Sequence, residues 1–162
     1  MLDYLIHLDK KLFIFLNNLG SKPFDDIWLL ITKQSNWIPF FIILLFILYK
    51  KLGTKKLGIA ILILTALITF TNEITDVIKF SVQRIRPCND DTLAGLIRVV
   101  KDSDTFSYFS GHASNSTAAM MFVFLILRKH YKYSYLIFLY PLIFAYSRIY
   151  LGLHFPLDII SG

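Results

Sequence analysis

Only one cysteine, Cys88, occurs among the 162 residues. No intramolecular disulfide can form, and cysteine usage says nothing about redox compartment. Acidic residues are also sparse, 11 against 17 lysines and arginines, for a net charge of +6. Such a balance suits a nucleic-acid binder, but these cations fall mostly between apolar runs, which argues against nucleic acid and for a membrane. Internal repeats and low-complexity tracts are absent. The N-terminus lacks a basic start, a long apolar core and a small-residue cleavage site, carrying instead Asp3, Asp9, Lys10 and Lys11. A cleavable signal peptide is therefore not expected.

Apolar residues are plentiful. The chain is 56% hydrophobic and 16% aromatic, with a mean hydropathy of +0.58, against about 45–50% apolar in an ordinary soluble domain. They are gathered into runs. Residues 57–78 are long enough to span a bilayer, and 113–127 and 134–153 are further candidates. Residues 37–49 reach spanning length only when extended back to Ile27, which takes in Lys33, Gln34, Ser35 and Asn36. Residues 3–19 carry Leu5, Leu8, Leu12, Phe13 and Leu16 on one side, as an interfacial amphipathic helix or a core-packing soluble helix would. The expected fold is an all-α integral membrane bundle with about four or five spans. Residues 1–36 form an amphipathic, interfacial region and 37–162 the transmembrane domain. Trp28, Trp37 and the tyrosines are expected in interfacial belts.

Charge sets the expected topology. Lys50, Lys51, Lys55 and Lys56 lie in one link, and Arg128, Lys129 and Lys132 in another. Short basic links stay cytoplasmic. Residues 80–110 and 154–158 then fall on the opposite face. That face also holds Lys79, Arg84, Arg86, Arg98, Lys101 and Arg148, partly balanced by Asp90, Asp91, Asp102 and Asp104.

Alternating helices bring three polar patches to that one face. The first is Lys79, six residues, then Arg86-Pro87. The second is Ser110-Gly111-His112. The third is Ser147-Arg148, five residues, His154, three residues, Asp158. Phosphoryl transfer is catalysed mainly by positioning and charge stabilisation. Arg86 and Arg148 offer planar forks of donors, and Lys79 a point charge. Ser110 and Gly111 precede a helix start, where backbone N–H groups bind phosphate oxygens, and Gly111 permits close backbone approach. A neutral imidazole can attack phosphorus while a second moves protons. Asp158, four residues after His154, is placed to orient that ring, and Pro156 puts His154 in a turn with Asp158 in the first turn of a helix. His154 is thus the expected nucleophile, Asp158 its orienting partner and His112 the general acid and base.

These three motifs, in this order, resemble the type 2 phosphatidic acid phosphatase superfamily over residues 37–162. The resemblance implies a membrane-embedded, metal-independent lipid phosphatase needing no cofactor. Its partners are a phosphorylated lipid and the membrane, not nucleic acid, and it sets no oligomeric state. It implies phosphate binding by Lys79, Arg86, Ser110, Gly111 and Arg148, with His112, His154 and Asp158 catalytic. Undecaprenyl diphosphate, lipid A, phosphatidylglycerol phosphate and phosphatidic acid are all admissible, the first ranked highest. The expected setting is a bacterial inner membrane with the site facing the periplasm or exterior. Phe109 stands where the second motif often has proline. Family members usually continue into another transmembrane helix, whereas Gly162 follows Asp158 by only four residues, so a bundle short of that helix is expected.

Two rival classes share the motifs: a vanadate-dependent haloperoxidase, opposed by the apolar runs, and a non-catalytic membrane scaffold. Asn72, Glu73 and Asp76 are read as helix–helix hydrogen bonding or polarity at the mouth of the site, and the aspartates of 90–104 as a solvated loop.

Overall fold

The computed structural model describes residues 2–162. Six helices make up the regular structure: α1 (Leu2–Asn18), α2 (Asp25–Thr32), α3 (Ile38–Val82), α4 (Gly111–Leu127), α5 (Leu139–Tyr150) and α6 (Pro156–Ser161). No strand occurs among the described residues.

The helix α3 is not one rod. Gly53 has φ 69° and ψ 174°, a non-helical conformation that a side chain would oppose. Phe41 and Ile68 line one cavity, and Leu45 and Leu64 another. The limbs before and after Gly53 therefore lie side by side and antiparallel. Among the described residues, Gln34–Leu93 is long and apolar enough to cross a membrane, and only 6% of its most apolar window is buried. A soluble core helix would be mostly buried. Here Ile42, Phe46, Leu62, Ile63 and Phe70 point outward instead, as lipid-facing side chains do.

α4 is a 17-residue apolar helix packed on α3 and α5. The apolar run 134–153 resolves into a 3₁₀ turn, Ser134–Phe138, followed by the 12 residues of α5. Between these helices Leu44, Leu48, Met120, Val123, Leu127, Tyr140 and Phe144 form the main core. Tyr140 is its hub, with the rings of Trp37, Phe40 and Phe41 at 4.7, 5.4 and 5.4 Å.

α1 is docked rather than merely laid on a surface. Phe13 is fully buried and meets Phe155 edge-on at 5.2 Å. Burial of such a side chain contributes roughly 1.5–3 kcal/mol where the alternative is water. Asn17, also fully buried, lies 3.0 Å from the carbonyls of Arg98, Ile149 and Tyr150 and accepts from the Arg98 N–H at 2.7 Å. Lys10 reaches Asp90 at 2.6 Å. The N-terminal helix is thus fastened to the loop after α3 and to the end of α5.

Candidate active site

The C-terminal end of α3, the N-terminus of α4 and the segment after α5 meet at the end of the bundle away from Gly53. Each motif owes its position to a local signal. Lys79 lies in the last turn of α3, and Gln83, at φ 52°, caps that helix in a left-handed conformation. Ser110 is the N-cap of α4, its hydroxyl accepting from Ala113 N–H at 3.4 Å. Pro156 opens α6, and Asp158 closes back on the Phe155 N–H at 2.9 Å. Asp158 is therefore a helix cap as well as a neighbour of His154.

Cross-links tie the motifs together. Ser110 N–H donates to the Asp158 carbonyl at 2.8 Å. Arg86, only 4% exposed, donates from Nε to the Thr105 carbonyl (2.7 Å), from Nη2 to Thr105 Oγ1 (2.7 Å) and from Nη1 to the Leu153 carbonyl (2.9 Å). Its Nη1 also lies 3.0 Å from His154 Nε2. A guanidinium only donates, so Nε2 is the acceptor and the proton sits on Nδ1. Nδ1 faces Asp158 Oδ2 at 3.5 Å, too long for a formed hydrogen bond, and has no other protein partner. Asp158 is held more tightly elsewhere, by Arg84 on Oδ1 at 2.7 Å and by the Ser107 hydroxyl on Oδ2. His154 is 1% exposed. Burial pushes its pKa down to about 4 from an ordinary 6.5; the Asp158 carboxylate opposes the shift and the Arg86 charge adds to it. The ring is neutral at physiological pH.

Arg148 donates to Thr32 Oγ1 at 2.6 Å, while its buried Nε has no protein acceptor. Lys79 lies within Coulombic reach of Arg86, Arg148 and Asp158, and His112 within reach of Arg148, His154, Lys79 and Arg86. All eight residues singled out from sequence thus converge on one region. Gly111 has a further role: a Cβ there would stand 3.0 Å from Thr75 Cγ2. Its missing side chain lets α4 close against α3.

A cavity of about 470 Å³ opens beside His112. Lys79, Gly111 and His112 line it, with Phe41, Ile68, Ala119 and Phe144 as an apolar wall. Gln34, Asn72, Asp76 and Asn115 supply its polar wall. Asn115 Nδ2 donates to Asn72 Oδ1 at 2.6 Å, so Asn72 both bridges α3 to α4 and lines the mouth. Glu73 is exposed and absent from the lining.

Sequence reading missed Arg84. One nitrogen grips Asp158, the other grips Asp9 Oδ2 at 2.6 Å, and the guanidinium lies 4.0 Å from the Phe155 ring centre. Asp9 is 75 residues away in sequence, and no local pattern pairs them. Thr105, which takes two donors from Arg86, was also without a signal.

An all-helical membrane bundle with two histidines, three cations and a carboxylate at one end defines a phosphate-handling integral membrane protein. Residues 54–162 match the PAP2 superfamily, and the chain belongs to that family. It is 30% identical over 166 residues to the lipid A 4′-phosphatase of Bacteroides thetaiotaomicron, covering 100% of this chain and 73% of that one. The lipid A 4′-phosphatase of Porphyromonas gingivalis is 27% identical, over 99% of this chain and 69% of its own length. An undecaprenyl-diphosphatase of Sulfolobus acidocaldarius is 29% identical, over 97% and 72%. The crystal structure of a transmembrane PAP2 type phosphatidylglycerolphosphate phosphatase from Bacillus subtilis superposes with a TM-score of 0.73 at 19% identity, covering 98% of this chain and 79% of that one.

Proposed function

We propose that this chain removes phosphate from a membrane lipid in two steps through a phosphohistidine, without a metal. The observation that carries the reading is the 3.0 Å contact between Arg86 Nη1 and His154 Nε2: the nucleophilic lone pair lies beside the cation that would hold the phosphate. An arriving phosphate oxygen takes over the Arg86 donor, which bares Nε2 for attack. In the first step the Nε2–P bond forms as the P–O bond to the lipid breaks. His112, protonated, gives its proton to the leaving oxygen. In the second step His112 takes a proton from water, the water oxygen attacks phosphorus, and the Nε2–P bond breaks. Inorganic phosphate leaves, and His112 is again protonated. Arg86, Arg148, Lys79 and the first N–H groups of α4 carry the developing charge. Asp158 orients His154 through Nδ1.

Two candidate lipids lead. The lipid A 4′-phosphatase relatives align over almost the whole chain, and the uncharged Gln34, Asn72 and Asn115 of the cavity suit sugar hydroxyls. This supports a phosphorylated glycolipid. The Sulfolobus relative supports undecaprenyl diphosphate. We read the crossing segments as 38–52, 54–82, 111–127 and 134–150, with the basic Gly53 and 128–132 ends cytoplasmic. The site then faces the periplasm or exterior of an inner membrane.

The test is phosphate release by the detergent-purified chain, with chelator, from lipid A, undecaprenyl diphosphate, phosphatidylglycerol phosphate and phosphatidic acid. Chelator-resistant release is expected. Release that requires added Mg²⁺ would replace this mechanism with a metal route.

A further inference from the structure

Asp9, Arg84 and Asp158 form one charged unit. The side chains of Asp9 and Asp158 are 1% and 0% exposed, and Arg84 bridges them at 2.6 and 2.7 Å. Asp9 Oδ1 also accepts the Leu157 N–H at 2.8 Å, so both carboxylates are tied to the start of α6. Arg84 occupies Asp158 Oδ1 and leaves Oδ2 turned toward His154.

The charge count poses a difficulty that Asp9 resolves. A guanidinium paired with Asp158 alone would cancel the negative charge that should steady a cationic His154. A second buried carboxylate on the same guanidinium returns the unit to a net charge of −1. That matters when His154 carries phosphorus on Nε2 and a proton on Nδ1, because the ring is then cationic. Within a buried site the field of one uncompensated charge is poorly screened.

We infer that Asp9, acting through Arg84, is a positioning residue of the transfer: it returns to the Asp158 unit the negative charge that Arg84 would otherwise cancel, and with Arg84 it fixes which oxygen of Asp158 faces His154. The inference rests on the phosphohistidine reading above. It also makes α1, which lies outside all three motifs and outside the family match at 54–162, a working part of the site.

Asp9→Asn tests charge while keeping shape and the acceptor for Leu157 N–H, and Asp9→Glu restores the charge. Kinetics are measured on the full chain in detergent with whichever of the four lipids above wild type turns over fastest, beside His154→Ala. Asp9→Asn is expected to lower kcat about tenfold, with KM within about twofold, as for an interaction used only in the transition state. Asp9→Glu is expected to recover most of the loss, with both variants melting close to wild type. Wild-type kcat in Asp9→Asn, or equal loss in both variants, would overturn the inference while leaving the phosphatase reading intact. The protonation midpoint of His154, followed by nitrogen NMR of the ring, gives a readout independent of turnover. It should fall by about half a unit in Asp9→Asn and not in Asp9→Glu. Arg86, in contact with the ring, and Arg148, within Coulombic reach of it, are common to all variants. If no lipid is turned over by wild type, the phosphatase reading fails, and an unchanged midpoint sinks the charge inference separately.

Discussion

Arg86 and His154 meet at 3.0 Å through Nη1 and Nε2, so the ring nitrogen facing the guanidinium carries no hydrogen. The residues proposed as nucleophile and phosphate clamp are thus already in contact.

Replacing His154 with alanine should abolish turnover, a loss of about a thousandfold or more, while helicity and detergent-state melting stay near wild type. Wild type incubated with radiolabelled substrate and quenched in alkaline detergent should carry base-stable, acid-labile phosphate on the protein, and the variant none. Labelling of His154→Ala at the wild-type level would move the nucleophile elsewhere.

Gly111→Ala should destabilise the chain by about 1–3 kcal/mol, the usual cost of inserting a methyl into filled space, because the new Cβ stands 3.0 Å from Thr75 Cγ2. Thr75→Ser removes that methyl and keeps the Oγ1 bond to the Thr71 carbonyl at 2.6 Å. Combined with Gly111→Ala, it should recover much of the loss. Additive melting shifts in a double-mutant cycle would count against the contact.

Asn17→Leu should cost about 2–3 kcal/mol, because it leaves the Arg98 N–H without its acceptor and removes the two amide hydrogens shared among the carbonyls of Arg98, Ile149 and Tyr150. Limited proteolysis should then cut within α1 before the rest of the chain. A variant that resists protease like wild type would show that α1 is held by its apolar contacts.

Acid should weaken the fold through His154. Its folded pKa, about 4, lies below the ordinary 6.5, so the unfolded chain binds the extra proton between those values. The contribution is whole above about pH 6.5, declines as pH falls toward 4 and is lost below it; at its largest it is about 3 kcal/mol. Melting temperature measured from pH 7.5 to 4.5 should fall less steeply in His154→Gln than in wild type.

Apolar runs separated by basic links were enough to read an all-α membrane bundle and to send the three motifs to one end of it. Spacing alone also placed His154 before a Pro156-led helix carrying Asp158 on its first turn. Lengths were harder. Residues 134–153 read as one span, yet the 3₁₀ turn Ser134–Phe138 occupies the first part, because hydropathy does not distinguish a tight helix from an α-helix. The break at Gly53 hid inside KKLGTKK, which read only as a basic link. Arg84 escaped because its role is defined by Asp9, and a long-range ion pair leaves no periodic trace. Asn17 escaped for the same reason: a polar residue in an amphipathic pattern looks solvated until the loop and α5 close over it.

The grip of Asp9 and Asp158 on one guanidinium also sets an order of assembly. Arg84 can take Asp9 once the loop after α3 is made, but the pair gains Asp158 only when α6 follows, so the net charge of −1 beside His154 needs both α1 and α6 in place. A nascent chain halted between α5 and His154 carries the first two motifs and an Asp9–Arg84 pair of zero net charge, without the imidazole or Asp158.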